Sequence, residues 1–235
     1  MRIWGYWATF GWGLLALVVG QFAALALVVA LNFGTLDAIV AAPYDGALVT
    51  LFIALANPVT IAVLVGAVAI LRAPPAEYLA LIWPDRRSVA IGMISLAVLI
   101  AGSDLLLYLG GYPLVTPFQA QSYTSAGTEG WLAGLWFSTV IVAPAGEEAL
   151  FRGFLFRGWV RSKRAAWPAI VIISLLWAGL HIQYDWTGIL QIFVSGLVLG
   201  WMRWRSGSTL LTFFMHALFN LEGTLETIAY LYLSK

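Results

Sequence analysis

The chain has 235 residues, of which 62% are hydrophobic and only 10% are charged, and its net charge at pH 7 is +1. A soluble domain carries about 25% charged residues, so this composition excludes an ordinary soluble protein and indicates an integral membrane protein. The near-neutral charge excludes a nucleic-acid partner, and the lack of cysteine excludes disulfides, thiolate catalysis and cysteine-bound metals.

Apolar segments long enough to cross a membrane follow one another along the chain. A transmembrane helix needs about 20 mainly apolar residues. The segments that meet this length are 8–31, 47–71, 89–110, 131–156, 166–182, 187–202 and 208–232. Glu222 and Glu226 interrupt the last segment. We therefore expect an all-α, polytopic membrane helix bundle with seven or eight transmembrane helices.

Basic residues alternate between the loops that connect these segments. They precede the first segment and follow the second, fourth and sixth: Arg2, Arg72, Arg86, Arg87, Arg157, Arg161, Lys163, Arg164, Arg203 and Arg205. The loops in between, 32–46, 111–130 and 183–186, contain no Lys or Arg. Because basic loops stay on the cytoplasmic side, the pattern predicts a cytoplasmic N-terminus, and we expect a bacterial inner membrane.

Two connecting segments have their own character. The stretch from Arg72 to Arg87, "RAPPAEYLALIWPDRR", is amphipathic and broken by proline, which predicts a segment along the cytoplasmic interface. The stretch from Gly110 to Gly130 is the longest polar one, and we expect it to form an external lid.

Strongly polar residues are few in the last four segments and are therefore candidates for a functional site. Nearly all of them belong to one set: Glu147, Glu148, Arg152, His181, His216 and Asn220. Counted from the basic flanks at about 1.5 Å per residue, Glu147 lies about 15 Å deep and His181 about 20 Å deep. His216 and Asn220 lie about 12–13 Å and 18–19 Å deep on the same count. The sequence thus predicts one layer of polar groups, reached from the cytoplasmic side or laterally from lipid.

Helical periodicity separates the two adjacent glutamates. Glu148 and Arg152 are four residues apart and share a helix face, which favours an ion pair. Glu147 is rotated by about 100° from Glu148 and faces elsewhere. Pro144 and Gly146 should loosen the helix just before Glu147, because proline removes a backbone hydrogen bond. Water or a substrate could then approach Glu147.

Three short motifs resemble those of one protease family. "EEALFR" (Glu147 to Arg152) is similar to EExxxR, "WAGLH" (Trp177 to His181) to FxxxH with Trp in place of Phe, and "HALFN" (His216 to Asn220) to HxxxN. Their order resembles the CAAX protease and bacteriocin-processing family, also called the Abi or type II CAAX prenyl endopeptidase family. The resemblance covers about residues 130–225.

The resemblance implies an intramembrane endopeptidase that hydrolyses a peptide bond of a membrane-associated or lipid-tethered peptide. Glu147 and His181 would activate a water molecule, and His216 with Asn220 would stabilise the oxyanion. Residues 1–125 would be N-terminal transmembrane helices and an interfacial segment, and residues 126–235 the catalytic helix core.

The remaining motif residues, Glu148, Arg152 and Trp177, would have orienting or structural roles. No cofactor is expected. The zincin signature HExxH is absent. Zinc stays open as the alternative, because Glu147, His181 and His216 with a water form a three-ligand catalytic pattern.

A non-enzymatic membrane protein is the alternative to a protease. One form is a proton-coupled carrier that uses Glu147 and the two histidines as a relay. Another is an immunity or interaction protein that retains the motif residues without hydrolysis. For the protease, the expected partners are a membrane-associated peptide or protein substrate and the lipid bilayer.

Overall fold

The computed structural model describes residues 1–30 and 44–233, and this part of the chain is an all-α helix bundle without strands. Its N-terminal helices are α1 (Tyr6–Ala30), α2 (Gly46–Ile70), α3 (Pro75–Tyr78), α4 (Arg86–Gly110) and α5 (Pro117–Glu129). The C-terminal ones after residue 160 are α9 (Lys163–Gly179), α10 (Trp186–Ser206) and α11 (Thr209–Leu233). Between them runs one continuous helical rod, residues 132–159, which we call the motif helix.

The long helices coincide with the predicted apolar segments to within four residues at each end. By length and composition, α1, α2 and α4 are apolar enough to cross a membrane, with mean hydropathies of 2.4, 2.4 and 2.1. Glu222 and Glu226 do not interrupt α11, which is a single helix of 25 residues. The predicted loop 32–46 lies mostly outside the described residues.

The motif helix changes its winding along its length. It consists of α6 (Leu132–Phe137), π1 (Ser138–Val142), α7 (Ala143–Glu148), π2 (Ala149–Leu155) and α8 (Phe156–Trp159). In the π segments the backbone bonds run from residue i+5 to residue i, as from the Ala143 N–H to the Ser138 carbonyl. The next donor in this pattern is Pro144, which has no N–H, so the carbonyl of Thr139 lacks its backbone partner. Short π segments often occur at functional sites.

The segment after α2 packs into the bundle more deeply than an interfacial helix would. Its single helical turn, α3, ends at Tyr78, and Ala80 adopts a φ of 53°. Tyr78 and Leu79 are buried, whereas Trp83 is exposed. The Thr209 N–H donates to the Ala80 carbonyl over 2.9 Å, which fixes the segment to the start of α11. Flanking prolines limit the length of the helix here. The apolar residues are therefore buried because the irregular segment itself packs against the bundle, and not because they share one face of a helix.

The predicted polar lid is mainly a helix. The Thr116 hydroxyl accepts from the Gln119 N–H and the Gln119 side chain accepts from the Thr116 N–H, which forms a capping box at the start of α5. Gly130 ends the helix with a φ of 79°. The "TPFQ" signal of this helix start was already present in the sequence.

An apolar core fills the half of the bundle that lies towards the basic residues. Phe154, Ile170, Met202, Leu211 and Met215 belong to it, and each is at most 1% exposed. They come from the motif helix, α9, α10 and α11, close to the ends that carry the arginines. This core forms the floor beneath the polar residues of the motifs.

Candidate active site

The four residues predicted to be catalytic line one cavity of about 270 Å³. Glu147 comes from α7, His216 and Asn220 from α11, and His181 from the loop directly after α9. The structure therefore brings together side chains that are up to 73 residues apart in sequence (220 − 147). Glu147 and His181 keep 23% and 18% of their side-chain surface accessible, so both are open to the cavity.

Glu147 is held by an indole and faces two imidazoles. The Trp177 Nε1–H donates to Glu147 Oε2 over 2.5 Å. The same oxygen lies 4.0 Å from His181 Nε2 and 3.9 Å from His216 Nε2. These two gaps are too long for direct hydrogen bonds, so any hydrogen-bonded link between the groups would need a water molecule. The sequence analysis gave Trp177 an orienting or structural role but missed this bond, which phenylalanine in the related motif cannot make.

His181 presents one defined nitrogen to Glu147. Its Nδ1 lies 2.8 Å from the Trp177 carbonyl, which only accepts, so Nδ1 carries the hydrogen. Nε2 of the neutral ring is therefore an acceptor on the Glu147 side. Trp177 thus positions Glu147 through its side chain and His181 through its backbone.

Glu148 forms the predicted ion pair with Arg152 and a second contact that was not predicted. Arg152 Nη1 lies 2.8 Å from Glu148 Oε1, and both side chains are at most 1% exposed. The same carboxylate oxygen lies 3.0 Å from His216 Nδ1. A carboxylate beside Nδ1 holds the hydrogen there and directs Nε2 towards Glu147. The two adjacent glutamates therefore face opposite nitrogens of one imidazole, Glu148 at hydrogen-bonding distance and Glu147 at 3.9 Å.

Arg152 itself is enclosed by the motif residues. Its guanidinium lies 4.3 Å from the centre of the Trp177 ring, a cation–π distance. Arg203 Nε donates to the Arg152 carbonyl over 2.9 Å and to Thr209 Oγ1 over 3.0 Å. A side chain of α10 thereby supports the backbone of π2.

Asn220 is anchored by the break in the motif helix. Its Nδ2 donates to the Thr139 carbonyl over 2.8 Å, the group that Pro144 leaves without a backbone donor. The amide has two N–H groups, and one remains for a ligand in the cavity. Pro144 thus does more than loosen the helix, because it creates the acceptor that fixes Asn220.

A close approach of α2 supports Glu147 from behind. A Cβ at Gly146 would lie 2.1 Å from Asn57 Oδ1, so only glycine permits this packing. Sequence reasoning missed Asn57, which belongs to no motif. Its signal was an amide in the middle of an otherwise apolar span, next to Pro58.

The cavity extends from Glu147 away from the basic helix ends. Its far wall includes Thr116, Gln119, Tyr123 and Gln183. This differs from the depth count, which placed the opening towards the cytoplasmic half. The physical reason is that α9 has only 17 residues and ends at Gly179, so His181 lies beyond the helix end opposite the basic flank.

Tyr184 and a group of carboxylates also belong to this end of the bundle. Burial, together with the nearby Glu147 carboxylate, raises the pKa of Tyr184 and keeps its hydroxyl protonated. Asp104, Glu222 and Glu226 approach to within 4.8 Å of one another, and both glutamates line the cavity.

The ligand types expected for zinc are present, but their ligand atoms do not all lie close enough together to surround one ion. Glu147 and the two imidazole Nε2 atoms are chemically suitable ligands, and each ring is held through Nδ1 as metal-binding histidines usually are. Among residues 1–30 and 44–233, only the Asp104 group has its ligand atoms all within 4.8 Å of one another. Glu147 instead lies between the imidazoles.

Comparison with known proteins points to one family. Residues 129–221 match the family model of the Rce1-like type II CAAX prenyl endopeptidases, and all three motifs fall inside this range. An "Uncharacterized 24.3 kDa protein" of Escherichia coli is 37% identical over 79 residues, which cover 32% of this chain and 36% of that protein. The chain thus matches about a third of that relative's length. No solved structure matches the chain. The match over residues 129–221 supports assigning this chain to the CAAX protease family.

Proposed function

We propose that the protein is an intramembrane endopeptidase that hydrolyses a peptide bond of a membrane-associated or lipid-tethered peptide. The family match supports a protease in general. The observation that carries the specific proposal is the position of Glu147, whose Oε2 lies within 4.0 Å of both imidazole Nε2 atoms in a cavity. Peptide hydrolysis needs an activated water and donors for the developing oxyanion, and this arrangement offers both.

Glu147 and His181 are the proposed activating pair. A water between Glu147 Oε2 and His181 Nε2 would have an acceptor on each side, and its proton would pass to one of them as its oxygen attacks the carbonyl. The proton would then go to the amine that leaves. Trp177 supports this role, because its indole N–H holds the carboxylate in place.

His216 and Asn220 are the proposed oxyanion donors. Asn220 has one N–H left after its bond to the Thr139 carbonyl. His216 would donate from Nε2 when both ring nitrogens carry a hydrogen, with Glu148 accepting from Nδ1 at 3.0 Å. Glu148 and Arg152 are positioning residues in this scheme, since neither is open to the cavity.

We propose that no metal is required. The two imidazole Nε2 atoms lie 4.0 and 3.9 Å from Glu147 Oε2 and on different sides of it, which supports water activation by the side chains themselves. If zinc binds, Glu147, His181 and His216 hold it, and it supplies Lewis-acid polarisation of the carbonyl and an acidified water. Metal analysis of chelator-treated protein that retains full activity supports the metal-free mechanism; loss of activity that zinc restores contradicts it.

The apolar helices and the family match indicate that the chain is an integral membrane protein. We further propose seven transmembrane helices, a cytoplasmic N-terminus and a bacterial inner membrane as its location. The alternation of basic and non-basic loops supports this orientation.

The experiment compares membrane peptidomes of cells that express the native chain, Glu147→Gln or Glu129→Gln. Glu129 is an exposed glutamate at the end of α5 and serves as the matched control. We expect cleavage products with the native chain and Glu129→Gln and none with Glu147→Gln. Full cleavage by purified Glu147→Gln contradicts the proposal.

Asn220→Ala distinguishes a protease from a proton-coupled carrier. Loss of one oxyanion donor lowers the rate by about 10²–10³-fold, so the protease should be severely impaired. A carrier should show proton-dependent flux in liposomes and tolerate this substitution.

A further inference from the structure

The route into the cavity is one-sided. Towards the basic helix ends, the core beneath the site is closed, with Phe154 and Met215 at 0% exposure and Leu211 at 1%. Arg152 and Glu148 fill the level between this core and the site and are themselves at most 1% exposed. Neither water nor a peptide reaches Glu147 through these packed side chains.

The opposite end offers a partly open, polar wall. Leu114, which lines the cavity, is 41% exposed, and Gln119, Tyr123 and Gln183 are partly exposed. The cavity therefore continues from the reactive groups to the end of the bundle where α9 stops and α10 begins.

The same wall carries hydrogen-bonding groups that are not used within the protein. Ser122 Oγ and Trp136 Nε1 are buried, and neither has a hydrogen-bond partner among the described residues. Both residues line the cavity. A buried polar group without a partner costs free energy, which a ligand recovers when it supplies the missing bond. An extended peptide backbone offers such acceptors at regular spacing, whereas an isoprenoid chain offers none.

The loop charges identify which face of the membrane this end occupies. The loops at this end, 111–130 and 183–186, have no Lys or Arg, whereas Arg157, Arg161 and Arg164 lie at the other end. Basic loops remain in the cytoplasm, so the open end faces away from it.

We propose that the substrate is an extracytoplasmic peptide segment that enters from the non-cytoplasmic face, and not a prenylated tail presented in the cytoplasm. This inference rests on the proposed protease function and on the proposed orientation. The peptide backbone binds along Ser122 and Trp136, and its scissile carbonyl reaches Glu147 at the inner end of the cavity.

The natural lack of cysteine makes the route directly testable. Gln119→Cys places a single thiol on the cavity wall, and Arg164→Cys places one on the exposed surface at the basic end. Both full-length variants are treated in spheroplasts with a membrane-impermeant sulfonated maleimide. We expect labelling of Gln119→Cys in intact spheroplasts and of Arg164→Cys only after lysis. The reverse pattern, or labelling of Gln119→Cys only after lysis, overturns the proposal.

A second position, on α11, tests whether the open end leads to the site. Thr224 lines the cavity one helical turn beyond Asn220. Thr224→Cys should react with a charged methanethiosulfonate added outside spheroplasts at least 10-fold faster than when it is added to the cytoplasmic face of inverted vesicles. Equal rates, or faster reaction in inverted vesicles, contradict the proposed route.

The entry route and the protease function can be refuted independently of each other. If products that depend on Glu147 come from cytoplasmic segments, the entry route is wrong and the protease function stands. If no product depends on Glu147 while the labels react from outside, the protease function is wrong and the cavity's orientation stands.

Discussion

Replacing Arg152 should leave the buried Glu148 carboxylate without its cationic partner and destabilise the whole bundle. Arg152 is 0% and Glu148 1% exposed, with 2.8 Å between Nη1 and Oε1, so no solvent replaces the lost cation. Breaking a buried pair on one side costs about 3–5 kcal/mol. Two unit charges at about 4 Å in a medium of effective dielectric 20 give a similar figure, about 4 kcal/mol. We therefore expect Arg152→Met to lower the free energy of unfolding by about 3–5 kcal/mol.

Equilibrium unfolding in mixed detergent micelles measures this loss, and a double variant tests its cause. Replacing both members by apolar residues of similar size is often nearly neutral, so Arg152→Met with Glu148→Met should regain most of the stability. Activity should stay absent in the double variant, because His216 Nδ1 loses its acceptor. Arg87→Met, at an exposed arginine, is the control and should change stability by less than about 0.5 kcal/mol. A loss below about 1 kcal/mol for Arg152→Met, or no recovery in the double variant, refutes the reasoning.

Three further predictions follow from single contacts. Trp177→Phe removes the indole N–H bond to the Glu147 carboxylate. Since such bonds contribute about 1.5–3 kcal/mol, kcat/KM of the proposed protease should fall about 10- to 150-fold without loss of fold; an unchanged value contradicts the role of the indole. Gly146→Ala should lower the thermal unfolding temperature, because the added Cβ would overlap Asn57 of α2. Gly66→Ala is the control, since a Cβ at Gly66 would have no atom within 4 Å, and it should not lower this temperature. Equal effects of the two variants contradict this packing. Asp185 caps α10, and the hydrogen bond from the Gly188 N–H lowers the pKa of Asp185 below its value in the unfolded chain. The cap therefore contributes its full stability at a pH above the unfolded-state pKa. This stability is lost as the pH falls through the lower pKa of the folded state. Asp185→Ala should therefore cost about 1 kcal/mol at pH 7 and less at low pH, and a pH-independent difference contradicts the assignment.

The separation of Glu147 from Glu148 was predictable from sequence because it depends only on helical periodicity. Two adjacent helical residues point about 100° apart, and one of them has an arginine four residues later. The long helices were predictable for a similar reason, since span length follows from bilayer thickness.

The contacts that finish the site depend on tertiary packing and were not predictable in this way. Nothing in the local pattern indicates that Pro144 gives π winding and frees the Thr139 carbonyl for Asn220. The bond between Glu148 and His216 joins residues 68 positions apart, and only the packed bundle defines it. The direction of the cavity depends on the packed apolar core that closes the basic end of the bundle, and the predicted end of α9 was also three residues too late.

The region that resembles the family packs tightly against the N-terminal helices and is not a separate domain. Val49 and Ile53 of α2 form part of the cavity wall, although they lie far outside residues 129–221. Asn57 fits against Gly146, and a Cβ at Gly158 would lie 2.1 Å from Thr9 Oγ1. A fragment of residues 126–235 made alone would turn this cavity into a groove that faces lipid tails. The N-terminal helices thus form the part of the cavity wall that keeps hydrocarbon away from Glu147 and the two histidines.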